Sequence, residues 1–254
     1  MKEKVGSYTL QVEPFHVDFS GKLLIGVLGN HFLNCAGYHA KERGFGIAEI
    51  NESNFTWVLS RLAIELNDLP NQYETFTIQT WVENVYRLFT DRNFAVYDKD
   101  NNVCGYARSV WAMINIDTRK PADLLTLHGG NIVDYIETEK SCPIEKPSRI
   151  KVGSAMPMRT IETYYSDIDI NGHVNSIKYI EHILDLFSKD WYNNKRIKRF
   201  EMAYVAETYF GETLSFYRDE VEDGTFDIEV RKNVGGEVPE GELVCRSKVV
   251  FVNK

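Results

Sequence analysis

Cysteine is scarce in this chain of 254 residues: Cys35, Cys104, Cys142 and Cys245 lie far apart and never form a C-x-x-C pair. That spacing argues against metal clusters and dithiol redox motifs and suits a reducing compartment. Long apolar runs are missing too; none approaches the ~18–20 residues a membrane span needs. Positive charge is in deficit, with 29 Lys and Arg against 37 Asp and Glu, a net charge of −8. An acidic domain repels phosphate, so no nucleic-acid partner is expected. There is no G-x-G-x-x-G, P-loop, G-x-S-x-G or H-E-x-x-H motif, so no nucleotide cofactor, metal or serine nucleophile is suggested. The first residues show neither a signal-peptide core nor an Arg/Ser-rich transit segment. The expectation is a cytoplasmic, non-membrane protein without cofactor, in which the sequons at Asn51 and Asn54 are chance matches.

What is present is ordinary globular composition. Hydrophobic residues make up 43% and aromatics 13%, enough for a sizeable core and too much for a disordered chain. The length allows one large domain or two of about 127 residues. Residues 5–12 alternate like a strand, and helical spacing runs from about Leu23 to Arg43, closed by Gly44 and Gly46. Strand-like runs follow at 56–66, 74–82, 92–97 and 103–115. Pro121, Pro143, Pro147 and Pro157 punctuate the next stretch, with a short helix near 131–139 and a linker-like segment at 148–154.

The second half repeats this order. Residues 158–165 alternate, a helix is expected from about Gly172, and strands at 197–207, 212–221, 225–232 and 242–252. An offset of 138 relates Arg61 to Arg199, Glu74 to Glu212, Arg108 to Arg246 and Asn115 to Asn253. Two copies of a helix-plus-antiparallel-sheet unit are therefore expected, each helix covering the apolar face of its sheet. This is an α+β double hotdog, a pseudo-dimer with one continuous sheet. The expected bounds are 1–125 for an N-terminal hotdog, 126–155 for a linker, and 156–254 for a C-terminal hotdog.

The chemistry concentrates between Tyr165 and Leu184. Asp167, Asp169, Asn171 and His173 alternate with apolar or small residues, and an apolar stripe of Val174, Ile177, Ile180 and Ile183 follows at helical spacing. That pattern puts the polar cluster at a helix start, with Asn171 or Asp169 as cap and His173 in the first turn. The helix amides and positive dipole end would polarise a carbonyl. An Asp-x-Asn-Gly turn is also a plain capping signature. Comparison at the 138 offset favours chemistry, because His31, Leu33 and Cys35 stand opposite Asp169, Asn171 and His173. Glu207, whose counterpart is Leu69, is the second candidate. Lys195, Arg196, Lys198 and Arg199 form a basic run that reads as a solvated face or as a dock for an acidic partner.

At these residues the sequence resembles the acyl-acyl carrier protein (ACP) thioesterases, the plant chain terminators and their bacterial relatives. In the first copy the runs beginning at Trp57, Thr80 and Ser109 look like the family's strand motifs. In the second, Asp169, Asn171, His173, Val174 and Asn175 match its Asp-x-Asn-x-His-Val-Asn signature. The resemblance implies a double hotdog that hydrolyses the thioester between a fatty acyl chain and carrier protein. It implies catalytic roles for Asp169, Asn171 and His173, and Glu207 matches the Glu of a following Glu-Cys pair. Thr208 stands where Cys is found in the plant family, which puts a cysteine nucleophile in doubt. Water would attack, with Glu207 and His173 sharing general-base work, and the acyl tail would lie in the first copy. The partner implied is acyl-ACP, and a homodimer is compatible. Two alternatives stay open: an acyl-CoA thioesterase of the same fold, and a non-catalytic acyl-binding module.

Overall fold

A computed structural model describes residues 3–233 and 241–254. The chain divides into two compact units, Met1–Lys146 and Pro147–Lys254.

In the first unit β1 (Gly6–Gln11) leads through a 3₁₀ turn at Pro14–His16 into α1 (Ile25–Lys41) and the short α2 (Ile47–Asn51). Then come β2 (Phe55–Leu66), β3 (Thr75–Val85), β4 (Phe89–Tyr97) and β5 (Val103–Asn115). They form an antiparallel sheet ordered β1-β3-β4-β5-β2. Helix α1 forms because Ile25, Leu28, Phe32, Cys35, Ala36 and His39 recur at three- and four-residue spacing and are all buried. Phe32 stacks on Phe94 of β4 at 4.8 Å. The opposite sheet face is covered as well. Trp81 is fully buried beneath Cys142 and Ile144, whose carbonyls accept from the Arg108 guanidinium at 2.6 and 2.8 Å.

The second unit runs β6 (Arg159–Glu162), a 3₁₀ turn at Tyr165–Asp167, α3 (Ser176–Leu184), α4 (Lys189–Asn194), β7 (Lys195–Tyr204), β8 (Thr213–Glu222), β9 (Thr225–Lys232) and β10 (Glu242–Asn253). Its antiparallel sheet is ordered β7-β10-β9-β8-β6. Ile177, Tyr179, Ile180 and Ile183 form the buried face of α3. Phe187 meets Phe226 and Phe251 edge-on at 4.9 and 4.7 Å. Three buried carboxylates, Glu201, Asp227 and Glu229, are paired with Arg199, Lys248, Arg246 and Arg231. The first two also hold the segment after Pro147: Glu201 accepts from the Ser148 amide and hydroxyl at 2.6 and 2.8 Å, and Asp227 from the Lys151 amide at 3.4 Å.

Both units are hotdogs, each a helix laid on an antiparallel sheet, as the repeated element order predicts. Two short helices, α2 and α4, were not expected. The second long helix starts at Ser176 rather than near Gly172. Gly172 has φ +80°, a left-handed conformation that no helix continues through. The cap is Asn175, whose side chain accepts from the Ile177 amide at 2.8 Å.

Candidate active site

The stretch before α3 is an ordered loop. A bridge between Ile168 and Val174 closes it, the Asp169 amide donates to the His173 carbonyl at 2.8 Å and the Gly172 amide to the Asp169 carbonyl at 3.0 Å. The Asp169 carboxylate accepts from the amides of Asn171 at 2.8 Å and His173 at 3.4 Å. The Val174 amide then donates to the Thr208 carbonyl at 2.8 Å. That last bond ties the loop to the segment leaving β7.

Glu207 therefore lies beside His173. Their side chains approach at 3.5 Å, Nε2 to Oε2, and both are partly open to solvent. The Tyr209 ring meets the imidazole edge-on at 5.0 Å. Asn171 is exposed on the rim. Thr208 is fully buried; its hydroxyl faces the buried Tyr179 phenol without a hydrogen bond of good geometry. Burial pushes the Tyr179 phenol well above its usual range. Of the four residues singled out from sequence, the structure brings His173 and Glu207 together, sets Asp169 under their loop, and leaves Asn171 at the edge.

Two expectations are corrected. The amides expected to stabilise an oxyanion are largely committed: those of Asn171 to Asn175, together with Ile177 and Lys178, donate to protein acceptors. The helix start thus offers no open row of donors, because His173 precedes the cap instead of lying in the first turn. The second correction concerns the internal comparison. The 138 offset relates β2 to β7 and β3 to β8 but not the remaining strands, so that Arg108 and Arg246 are not equivalent, and not the loop and helix, where the offset is 151. The first unit carries its own bridge, Val17 to Leu23, and its own left-handed glycine, Gly21, with φ +79°. Asp18, Ser20 and Lys22 therefore stand opposite Asp169, Asn171 and His173, not His31, Leu33 and Cys35. The longer helix and α2 of the first unit account for the change of offset. Leu69 remains the counterpart of Glu207, since the Leu23 amide donates to the Pro70 carbonyl as Val174 does to Thr208. In place of a His–Glu pair the first unit holds Lys22, ion-paired with Asp68 at 3.0 Å and donating to the Leu69 carbonyl at 2.9 Å.

Residues 3–126 match the model of the acyl-ACP thioesterase N-terminal domain, and residues 152–246 match that of the C-terminal domain. The chain belongs to the acyl-ACP thioesterase family. Among solved structures it is similar to an acyl-ACP thioesterase from Bacteroides thetaiotaomicron, at 67% identity over 98% of both chains and a TM-score of 0.91. A 12:0-ACP thioesterase from Umbellularia californica shares the fold, with a TM-score of 0.84 over 100% of this chain and 99% of that one, at 19% identity. Among curated proteins, a chloroplastic acyl-[acyl-carrier-protein] hydrolase from Cuphea viscosissima is 25% identical over 68% of this chain and 43% of its own length. A dodecanoyl-[acyl-carrier-protein] hydrolase from Cinnamomum camphora is 25% identical over 78% of this chain and 55% of its own. The chain spans about half the length of these curated relatives. The C-terminal domain match includes the loop that presents His173.

The sequence names Asp167 in the polar cluster without giving it a role, and it does not point to Tyr209 or Lys232. Asp167 is buried and accepts from His182 of α3 at 2.9 Å and from the Tyr164 amide at 2.8 Å, fastening the loop to the helix. Tyr209 flanks the imidazole. Lys232, at the end of β9, donates to the Glu207 carbonyl at 2.8 Å. The His182 and Asp167 pair was legible as a spacing that crosses the helix start. Lys232 sits in no motif and could not be found.

Proposed function

We propose that this chain is an acyl-ACP thioesterase that releases free fatty acid from carrier protein and so ends chain elongation. The observation that carries the reading is the 3.5 Å approach of His173 to Glu207 on the family's signature loop, in a position where the first unit has Lys22 and Leu69. A carboxylate beside an imidazole, open to solvent, is suited to activating water. In this mechanism water attacks the thioester carbon, and Glu207 and His173 share its proton. The carbonyl oxygen takes a hydrogen bond from the Asn171 side-chain amide as charge builds on it; the carbon–sulfur bond then breaks and the pantetheine sulfur receives the proton taken from water, leaving as the thiol. Asp169 keeps the loop in register. Thr208 takes no part as nucleophile, because its hydroxyl is buried and packed against Tyr179.

We assign the acyl chain to the first unit, whose α1 lays Leu28 and Phe32 on an apolar sheet face. The partner is acyl carrier protein. All four cysteines are free and buried, which fits a cytoplasmic location. No helix among the described residues is long and apolar enough to cross a membrane.

The test is release of fatty acid from matched acyl-ACP and acyl-CoA panels by wild type and by His173→Ala. The expected result is preference for the carrier-protein series and a loss of about a hundredfold or more in the variant. Equal or better turnover of the CoA series would favour the CoA reading. Bound lipid without turnover would make the chain an acyl-binding module.

A further inference from the structure

Lys232 is a buried cation behind the proposed base. Its side chain is 10% exposed, and among the described residues its ammonium group has three kinds of neighbour. It donates to the Glu207 carbonyl at 2.8 Å. It pairs with Glu242 at 3.4 Å and Glu212 at 3.8 Å. It also lies 5.8 Å from the centre of the Tyr209 ring.

All but the pairing with Glu242, at the start of β10, converge on one short turn, residues 207–212. Glu212 accepts from the Tyr209 amide at 2.9 Å, and the Thr163 hydroxyl donates to the Tyr209 carbonyl at 2.6 Å. Lys232 holds the first residue of that turn, Glu207, by its backbone. The same turn sets Tyr209 against His173 at 5.0 Å. Removing an ammonium from water is costly unless good partners replace it. A lysine kept there, with its stem in the core, is spent on fixing the turn. The first unit holds the equivalent carbonyl from the other side: Lys22, which stands opposite His173, donates to the Leu69 carbonyl at 2.9 Å. Its place equivalent to Lys232, just past the end of β4, is Asp98, whose carboxylate closes its own hairpin on the Asp100 and Asn102 amides at 2.9 and 2.7 Å. A lysine at the end of β9 thus goes with Glu207 and leaves the position of His173 to an imidazole, whereas in the first unit the lysine that holds this carbonyl occupies that position itself.

We infer that Lys232 is a positioning residue for the reaction: by clamping the Glu207 carbonyl it sets the Glu207 carboxylate and the Tyr209 ring against His173. This rests on the reading of Glu207 as the group that activates water. The ammonium does not touch the thioester. It acts through the turn, and a displacement of about 1 Å there is enough for a loss of order 10²-fold in rate.

The experiment compares wild type, Lys232→Met, Lys232→Arg and Glu207→Gln in steady-state hydrolysis of one acyl-ACP, with the His173 imidazole followed by NMR. Lys232→Met should lower kcat by about 10- to 100-fold and leave KM within about threefold, because substrate contacts stay in place. The His173 ring protons should shift as the Tyr209 ring moves off. Lys232→Arg, which keeps charge and donors, should recover most of kcat. If Lys232→Met does not fold, Lys232→Gln is read in the same way. Wild-type kcat in a Lys232→Met enzyme, with Glu207→Gln inactive, would overturn the inference alone. An active Glu207→Gln would overturn the reading beneath it.

Discussion

Asp18 and Asp169 hold the same loop in the two units. Asp18 accepts from the amides of Ser20 at 2.7 Å and Lys22 at 3.4 Å, and Asp169 from Asn171 at 2.8 Å and His173 at 3.4 Å. In each loop the glycine one position before the residue at the second contact is left-handed. A carboxylate kept in both units serves the backbone, whereas His173 and Glu207, found in one, are the pair proposed for the chemistry.

Paired substitutions separate these roles. Asp18→Asn and Asp169→Asn each weaken charge-assisted bonds to two amides, so each should cost about 1–2 kcal/mol of stability. Asp18→Asn should leave fatty-acid release near wild type. Asp169→Asn should lower it at least tenfold, because His173 loses its register. Thermal melts and kcat on both proteins check this; equal activity of the two variants would mean that the loop tolerates the slack.

Much of this was legible in the sequence, for a physical reason. Apolar residues at helical and alternating spacing report local burial, so α1, β2, β3, β5 and the second set of strands were found within a few residues. The candidate site was legible as a cluster, since Asp169, Asn171 and His173 are close along the chain. What failed depends on distance in space. The helix start was misplaced because Gly172 and Asn175 together decide it, and only the observed φ and cap bond show which residue acts as cap. The 138 offset fits β2 with β7 and β3 with β8 but not the loop before the helix, because the insertion lies in between, where no identity marks it. Lys232 reaches Glu207 across two strand ends, and no periodicity encodes that.

His39 gives the first unit a pH response. It is fully buried, accepts from the Arg92 guanidinium on Nδ1 at 3.1 Å and donates from Nε2 to the Lys4 carbonyl at 3.0 Å. Burial first, then the Arg92 and Arg43 charges, lower its pKa from 6.5 to about 3. The fold therefore requires the neutral ring. The resulting stability is complete above pH 6.5 and is lost as pH falls toward about 3, up to a few kcal/mol by linkage. Between pH 6.5 and 5, above the main carboxylate range, unfolding free energy should fall with pH in wild type. In His39→Gln the curve should be flatter there. Denaturant melts at several pH values measure it; parallel curves would show that His39 is not the source.

Phe32 tests the acyl assignment. It is fully buried against Phe94, so Phe32→Leu opens space on the sheet face of α1 at a cost of about 1–2 kcal/mol. Released fatty acids should move toward longer chains, with kcat on the preferred substrate changed little. Ile180 of α3 is equally buried, and Ile180→Val should leave the profile alone. A profile that responds to Ile180→Val and not to Phe32→Leu would place the chain in the second unit.

Glu207 and Thr208 decide between water and a hydroxyl nucleophile. Glu207 lies 3.5 Å from His173 and is open to solvent, while Thr208 is fully buried. A threonine hydroxyl without an adjacent base is a weak nucleophile, and its β-branched side chain is stiff at χ1. Glu207→Gln keeps the shape but removes the proton acceptor, so it should abolish most hydrolysis, by about a hundredfold or more, with acyl-ACP binding retained. Thr208→Val is nearly isosteric and removes a hydroxyl that has no well-formed bond, so it should keep most activity and change stability by less than about 1 kcal/mol. Mass spectrometry of wild type quenched during turnover should show no acyl adduct on the protein. An inactive Thr208→Val together with an acyl group on Thr208 would sink the water mechanism, and Thr208 would then have to leave its buried position to reach the thioester.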